Sequence, residues 1–121
     1  MKYRPSTEGQ EILKKDYRKK IIFSLEDFAE TGHLLQIVTI PPNTRQRAHF
    51  HDKQTEVFYI LEGEATITIN EVDYPAKPGD AFICSPGEVH SLWNKTEGDF
   101  RLVVFKINLP GEGEDSHWEE A

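Results

Sequence analysis

His49 and His51 stand one residue apart, and Glu56 follows five residues after the second, within HFHDKQTEVFYILEG (49–63). Neutral imidazole nitrogen and carboxylate oxygen together suit divalent transition ions such as iron, manganese, nickel, copper or zinc, whereas a hard ion such as calcium wants more oxygen ligands. A fourth ligand must come from elsewhere in the chain. Among the remaining histidines, His33 opens a strand after a turn and His117 lies in an acidic tail, but His90 follows the turn SPGEV on a strand near the middle of the pattern. His90 is therefore the candidate, and one divalent ion is the expected cofactor.

The elements that must position these ligands are short strands separated by turns. Strand-forming runs fall at 21–25, 33–40, 45–51, 56–61, 65–70, 80–85, 88–93 and 100–108. Between them sit Thr31-Gly32, Pro41-Pro42-Asn43, Gly63, Asn70-Glu71, Pro78-Gly79, Pro86-Gly87 and Glu97-Gly98, residues that favour turns through their φ preferences or local hydrogen bonds. Regular spacing of this kind marks an all-β sandwich or barrel. TEGQEILKKDYRKK could add a turn or so of helix near the start.

Side chains two apart on a strand share a face. In a strand without a bulge, Arg45, Arg47, His49 and His51 project one way and Gln46, Ala48 and Phe50 the other. Ala65, Ile67 and Ile69 should face inward, with Thr66 and Thr68 outward. EVFYIL is apolar on both faces, which points to a second cover over Val57, Tyr59 and Leu61, in so small a barrel another subunit. The expected assembly is a homodimer.

At 121 residues the chain can build one domain with a real core. Acidic residues outnumber basic ones, 21 to 14, for a net charge of -7, which disfavours nucleic acid or an anionic membrane as partner and favours a small molecule or another protein chain. No apolar run approaches the roughly 20 residues of a membrane span, and the start lacks the apolar segment of a secretory signal, so a cytoplasmic location is expected. Cys84 is the only cysteine, leaving neither a disulfide framework nor a cysteine-based zinc motif within the chain.

The ligand residues also sit in a longer pattern. Asn43, His49, His51, Glu56 and Gly63 resemble the first motif of the cupin superfamily: G, five residues, H-x-H, three or four residues, E, six residues, G. Gly79, Gly87, His90 and Asn94 are similar to the second: G, five residues, P-x-G, two residues, H, three residues, N. Asn43 replaces the first glycine, a mild change because asparagine tolerates left-handed backbone. Ser85 stands at the proline position, with Pro86 one place later.

The resemblance implies a double-stranded β-helix, or jelly-roll barrel, in which the three histidines and Glu56 converge on one metal at the barrel mouth. The single domain then spans 1–121, with its barrel core at about 33–108, an N-terminal strand or arm at 1–32 and an acidic tail at 109–121. Cupins of this sort often dimerise through their sheets.

Around that site, Arg47 is a candidate receptor for an anionic group, and Arg45 reads as a solvated charge or an ion-pair partner. Phe58, Phe82 and Cys84 are candidate cavity walls, although a lone cysteine is more often a small core residue. Asn94 reads as a turn residue. Trp118 in the acidic tail is costly to leave in water, so the tail could dock on its own barrel or on a partner. The expected function is metal-dependent chemistry on a small, anionic metabolite, most simply of the dioxygenase type, with Glu56 as a base if it leaves the metal. Sugar or sugar-phosphate isomerisation, or non-catalytic binding of a metabolite or metal, are the alternatives.

Overall fold

The computed structural model describes residues 1–110 and 115–119. Its strands are β1 (Gln10–Leu13), β2 (Arg18–Phe23), β3 (Leu34–Ile40), β4 (Thr44–His51), β5 (Thr55–Glu62), β6 (Ala65–Ile69), β7 (Val72–Ala76), β8 (Ala81–Cys84), β9 (His90–Asn94), β10 (Phe100–Ile107) and β11 (Ser116–Trp118). They form two sheets, ordered β1-β2-β3-β10-β5-β8 and β11-β4-β9-β6-β7, with every pairing antiparallel. This is the expected jelly roll. A 3-10 turn, Leu25–Asp27, links β2 to β3.

Between the sheets lies a core built by strand alternation. Val38 and Ile40 of β3, Phe58 and Ile60 of β5, Ile67 of β6, Leu92 of β9, and Phe100, Leu102 and Val104 of β10 are all buried. Each such side chain contributes about 1.5–3 kcal/mol on leaving water. Ala65 and Ile69 pack against this cluster, as their alternation requires.

The turns hold the strands in register. Asn70 and Glu71 both have positive φ, which fits a tight two-residue hairpin between β6 and β7. Ser85-Pro86-Gly87-Glu88 closes with Glu88 N–H donating to the Ser85 carbonyl (3.1 Å) and with Gly87 at φ 84°. Proline in second place and a positive-φ glycine in third make a type II turn, so the shifted proline is fully accommodated just before His90. Gly63 is required by space as well as by its φ of 80°, because a Cβ there would meet the Asp99 carbonyl oxygen at 2.4 Å.

Three features differ from the sequence expectations. The segment read as a turn of helix instead forms β1 and the start of β2, whose pairing with β3 outweighs weak local helix preference. β7 carries Pro75 and forms an edge of its sheet, where a missing N–H is tolerated. β4 contains a bulge between Gln46 and His49, so its faces do not simply alternate. Gln46 turns inward, and Arg45 turns out to meet Glu119 at 3.7 Å.

Candidate metal centre

β4 supplies His49 and His51, β5 supplies Glu56, and β9 opens with His90. The bulge sets His49 directly opposite His90 across the β4–β9 pair. All four side chains are buried, and one ligand atom from each lies within 4.8 Å of the others. The four side chains that the resemblance implied as ligands are thus brought together in one cluster. Glu56 Oε1 is 2.5 Å from His51 Nε2 and 3.1 Å from His90 Nε2.

Hydrogen bonds behind the rings decide which nitrogens point inward. His49 Nδ1 donates to the Arg47 carbonyl and His90 Nδ1 to the Glu88 carbonyl, each at 3.1 Å. A carbonyl can only accept, so both Nδ1 atoms carry hydrogen, and Nε2 is the nitrogen each ring turns toward the centre. His90 Nε2 therefore meets the Glu56 carboxylate oxygen at 3.1 Å, a contact that needs a proton or a metal cation between the two atoms. Burial, and then the charge of neighbouring His90, push the His49 imidazole down to about 3, so this ring is a neutral donor. Burial opposes the charge of Glu56, but hydrogen bonds from His51 and His90 outweigh it and hold the carboxyl well below its ordinary range.

His51 is braced differently. Its Nδ1 is 3.1 Å from the Gln54 amide nitrogen and 3.2 Å from Ser116 Oγ. The Gln54 amide oxygen is buried without a partner. Turning that amide over would let its oxygen accept from Nδ1–H, freeing Nε2 to bind a metal. Three imidazoles with inward-facing Nε2 atoms and one anionic carboxylate fit a divalent transition ion.

The centre opens into a cavity of about 290 Å³. Phe58, Val38, Leu92 and Val104 give it apolar walls, and Gln36 and Gln46 add buried amides. Its basic lining is Lys14, Lys15, Lys19, Arg47 and Lys106, against Glu56 as the one carboxylate among the described lining residues. In a chain of net charge -7 this concentration of positive charge is a local feature of the cavity.

Of the residues singled out from sequence, Arg47 and Phe58 line the cavity and Phe82 and Cys84 do not. Phe82 packs on the core edge beside Tyr74, and Cys84 lies within the core, where burial pushes its thiol up to about 12. Arg47 is partly engaged, since Asp16 Oδ2 accepts from its backbone N–H (2.8 Å) and from Nε (3.2 Å). His33 packs between Phe28 and Phe105, and His117 pairs with Asp52 at 2.7 Å.

Sequence reasoning missed Lys14 and Lys15, and it left open whether Trp118 docks on its own barrel or on a partner. Lys14 and Lys15 reach the cavity from the β1–β2 hairpin, which Asp16 ties to Arg47. From the other end, β11 pairs with β4 and lays Trp118 on His49, their ring centroids 4.1 Å apart. Arg47 sits over the same indole at 4.8 Å. Trp118 thus docks on its own barrel. Its isolation among acidic residues was the one available signal.

The cupin domain model matches residues 36–106, and the chain belongs to the cupin family. It is 31% identical over 88 residues, 73% of each chain, to an oxalate-binding protein of Thermotoga maritima. A shorter match, 36% over 61 residues, covers 50% of this chain and 24% of an oxidoreductase of Arthrobotrys oligospora. Among solved structures, a predicted oxalate decarboxylase of Thermotoga maritima superposes with a TM-score of 0.78 at 26% identity, covering 88% of this chain and 98% of that one.

Proposed function

We propose that the protein is a metal-dependent oxidoreductase of the dioxygenase type acting on a small carboxylate. The observation that carries this reading is a three-histidine, one-glutamate centre at the foot of a cavity ringed by basic side chains. A redox-active divalent ion bound there would supply electrons for dioxygen chemistry, with coordination positions left for substrate. His49, His51, Glu56 and His90 would hold the ion. Arg47, Lys14 and Lys106 would bind the substrate carboxylate, while Phe58, Leu92 and Val104 exclude water around it. Glu56, between His51 and His90, is the group placed to take a proton if it leaves the ion.

A second reading, non-catalytic binding of a small carboxylate, is favoured by the oxalate-binding relative. The deciding experiment measures bound metal by elemental analysis and then follows oxygen consumption by iron- or manganese-loaded protein across a panel of small carboxylates. Uptake abolished by a His49→Ala, His90→Ala double variant supports the enzyme. Tight carboxylate binding with no oxygen consumed and no product formed favours the binder. The exposed apolar residues Tyr59, Leu61 and Ile83 on the outer face of the larger sheet support a homodimer, which a monomeric mass in light scattering would refute.

A further inference from the structure

The carboxylate of Asp115, itself buried, accepts from three consecutive backbone N–H groups far away in sequence: Asp52 at 3.3 Å, Lys53 at 3.0 Å and Gln54 at 3.0 Å. These residues form the turn that joins two metal-ligand strands. His51 is the last residue of β4, Thr55 is the first of β5, and Glu56 follows it. A shift of so short a turn moves both ligands. Gln54, which is also buried, brings its amide nitrogen to 3.1 Å from His51 Nδ1. Ser116, next to Asp115, pairs with His51 across β11 and β4 and sets its Oγ 3.2 Å from the same nitrogen. Asp115 and Ser116 therefore hold the backbone that follows His51 and the outer edge of its ring together. Hydrogen bonds from several N–H groups to one carboxylate are charge-assisted and strong. Without the anion these donors must turn to water, and the Gln54 N–H bond is buried.

We infer that Asp115 is a positioning residue of the metal centre: it fixes the 52–54 turn and so holds His51 and Glu56 at the spacing one ion requires. Asp115, Ser116 and Trp118 then belong to the site, each holding a ligand in a different way. This rests on the metal-binding reading of the four-residue cluster and extends it to a residue that acts through the turn.

The test titrates full-length, metal-free protein with cobalt(II) against a competing chelator, with visible absorption reporting the bound ion. His117→Ala is the control, because His117 holds the same strand through the side chains of Asp52 and Phe50 and leaves the backbone donors of the turn alone. Asp115→Ala should weaken cobalt binding about tenfold or more. Asp115→Asn should recover part of that loss, since the Lys53 and Gln54 bonds both end on Oδ2 and one amide oxygen can accept them. His117→Ala, which removes an exposed pair, should move the affinity by less than about twofold. Should Asp115→Ala fold poorly, Asp115→Ser repeats the comparison with a side chain too short to span the three donors. Wild-type affinity in Asp115→Ala, or an equal loss in His117→Ala, would overturn the role of Asp115 and leave the metal centre standing. If wild type binds no cobalt, or binds it no more tightly than the His49→Ala, His90→Ala double variant, the metal reading falls and this inference with it.

Discussion

The indole of Trp118 lies face to face on the imidazole of His49, with ring centroids 4.1 Å apart and planes inclined by 22°. The His49 ring is thereby clamped between its backbone hydrogen bond to Arg47 and an aromatic plate carried by β11. Tyr17 extends the stack at 6.1 Å and Arg47 covers the indole. Trp118→Ala should lower stability by about 1–3 kcal/mol, from lost area together with the stacking and cation–π contacts. A paramagnetic ion at the centre should quench Trp118 strongly, so copper titration should darken wild type far more than Trp118→Phe. Equal quenching in both proteins would mean that copper binds elsewhere.

Removing two ligands should empty the centre. His49→Ala combined with His90→Ala leaves one imidazole and one carboxylate, too few to retain a transition ion through dialysis. Near-stoichiometric metal in wild type should fall below a tenth in the double variant. Comparable metal in both would separate the bound ion from this cluster.

Acid should destabilise the metal-free protein. His49 protonates near 6.5 when unfolded and near 3 in the fold, so between those values the unfolded chain binds more protons and stability falls as pH falls. Glu56 acts in the same direction at lower pH: its folded value lies well below 4.5, so the stability it contributes is present above that value and lost as pH drops through the folded one. Urea midpoints should therefore decrease from pH 7.5 to pH 5, and His49→Gln should flatten that slope. A midpoint that rises on acidification would contradict the assigned directions.

Asn94 is fully buried, and its amide nitrogen donates to the carbonyls of Ile40, Pro41 and Gly98 at 2.8–3.0 Å. Its oxygen accepts from the backbone N–H and hydroxyl of Thr96. Asn94→Ala orphans several buried groups at once and should cost about 3–5 kcal/mol, or prevent folding. Asn94→Asp keeps the acceptor but loses the donors and should be nearly as damaging. Denaturant melts of the two variants check this; a loss below 1 kcal/mol in both would show that water replaces the amide.

The grouping of His49, His51, Glu56 and His90 was legible because strand periodicity and motif spacing act over short distances, and Asn94 was legible for the same reason. The bulge in β4 was not, since alternating residue types carry no mark of an inserted position. It is why Gln46, placed outside by strict alternation, lines the cavity beside Arg47. Nothing in the sequence set Lys14 and Lys15 beside the cavity, because their place depends on the link from Asp16 to Arg47, 31 residues away. Phe82 fits a cavity wall by type and sequence position alone, but β8 pairs at the far edge of the larger sheet and turns it toward Tyr74.

The pairing of β11 with β4 also has a temporal side. During synthesis His49, His51 and Glu56 emerge well before His90, and Ser116 and Trp118 appear only after the remaining strands. Pairings this distant in sequence form late, after the costly closure of long loops. The nascent chain therefore carries a partial imidazole cluster before its brace exists, and durable capture of an ion should be among the last events of maturation.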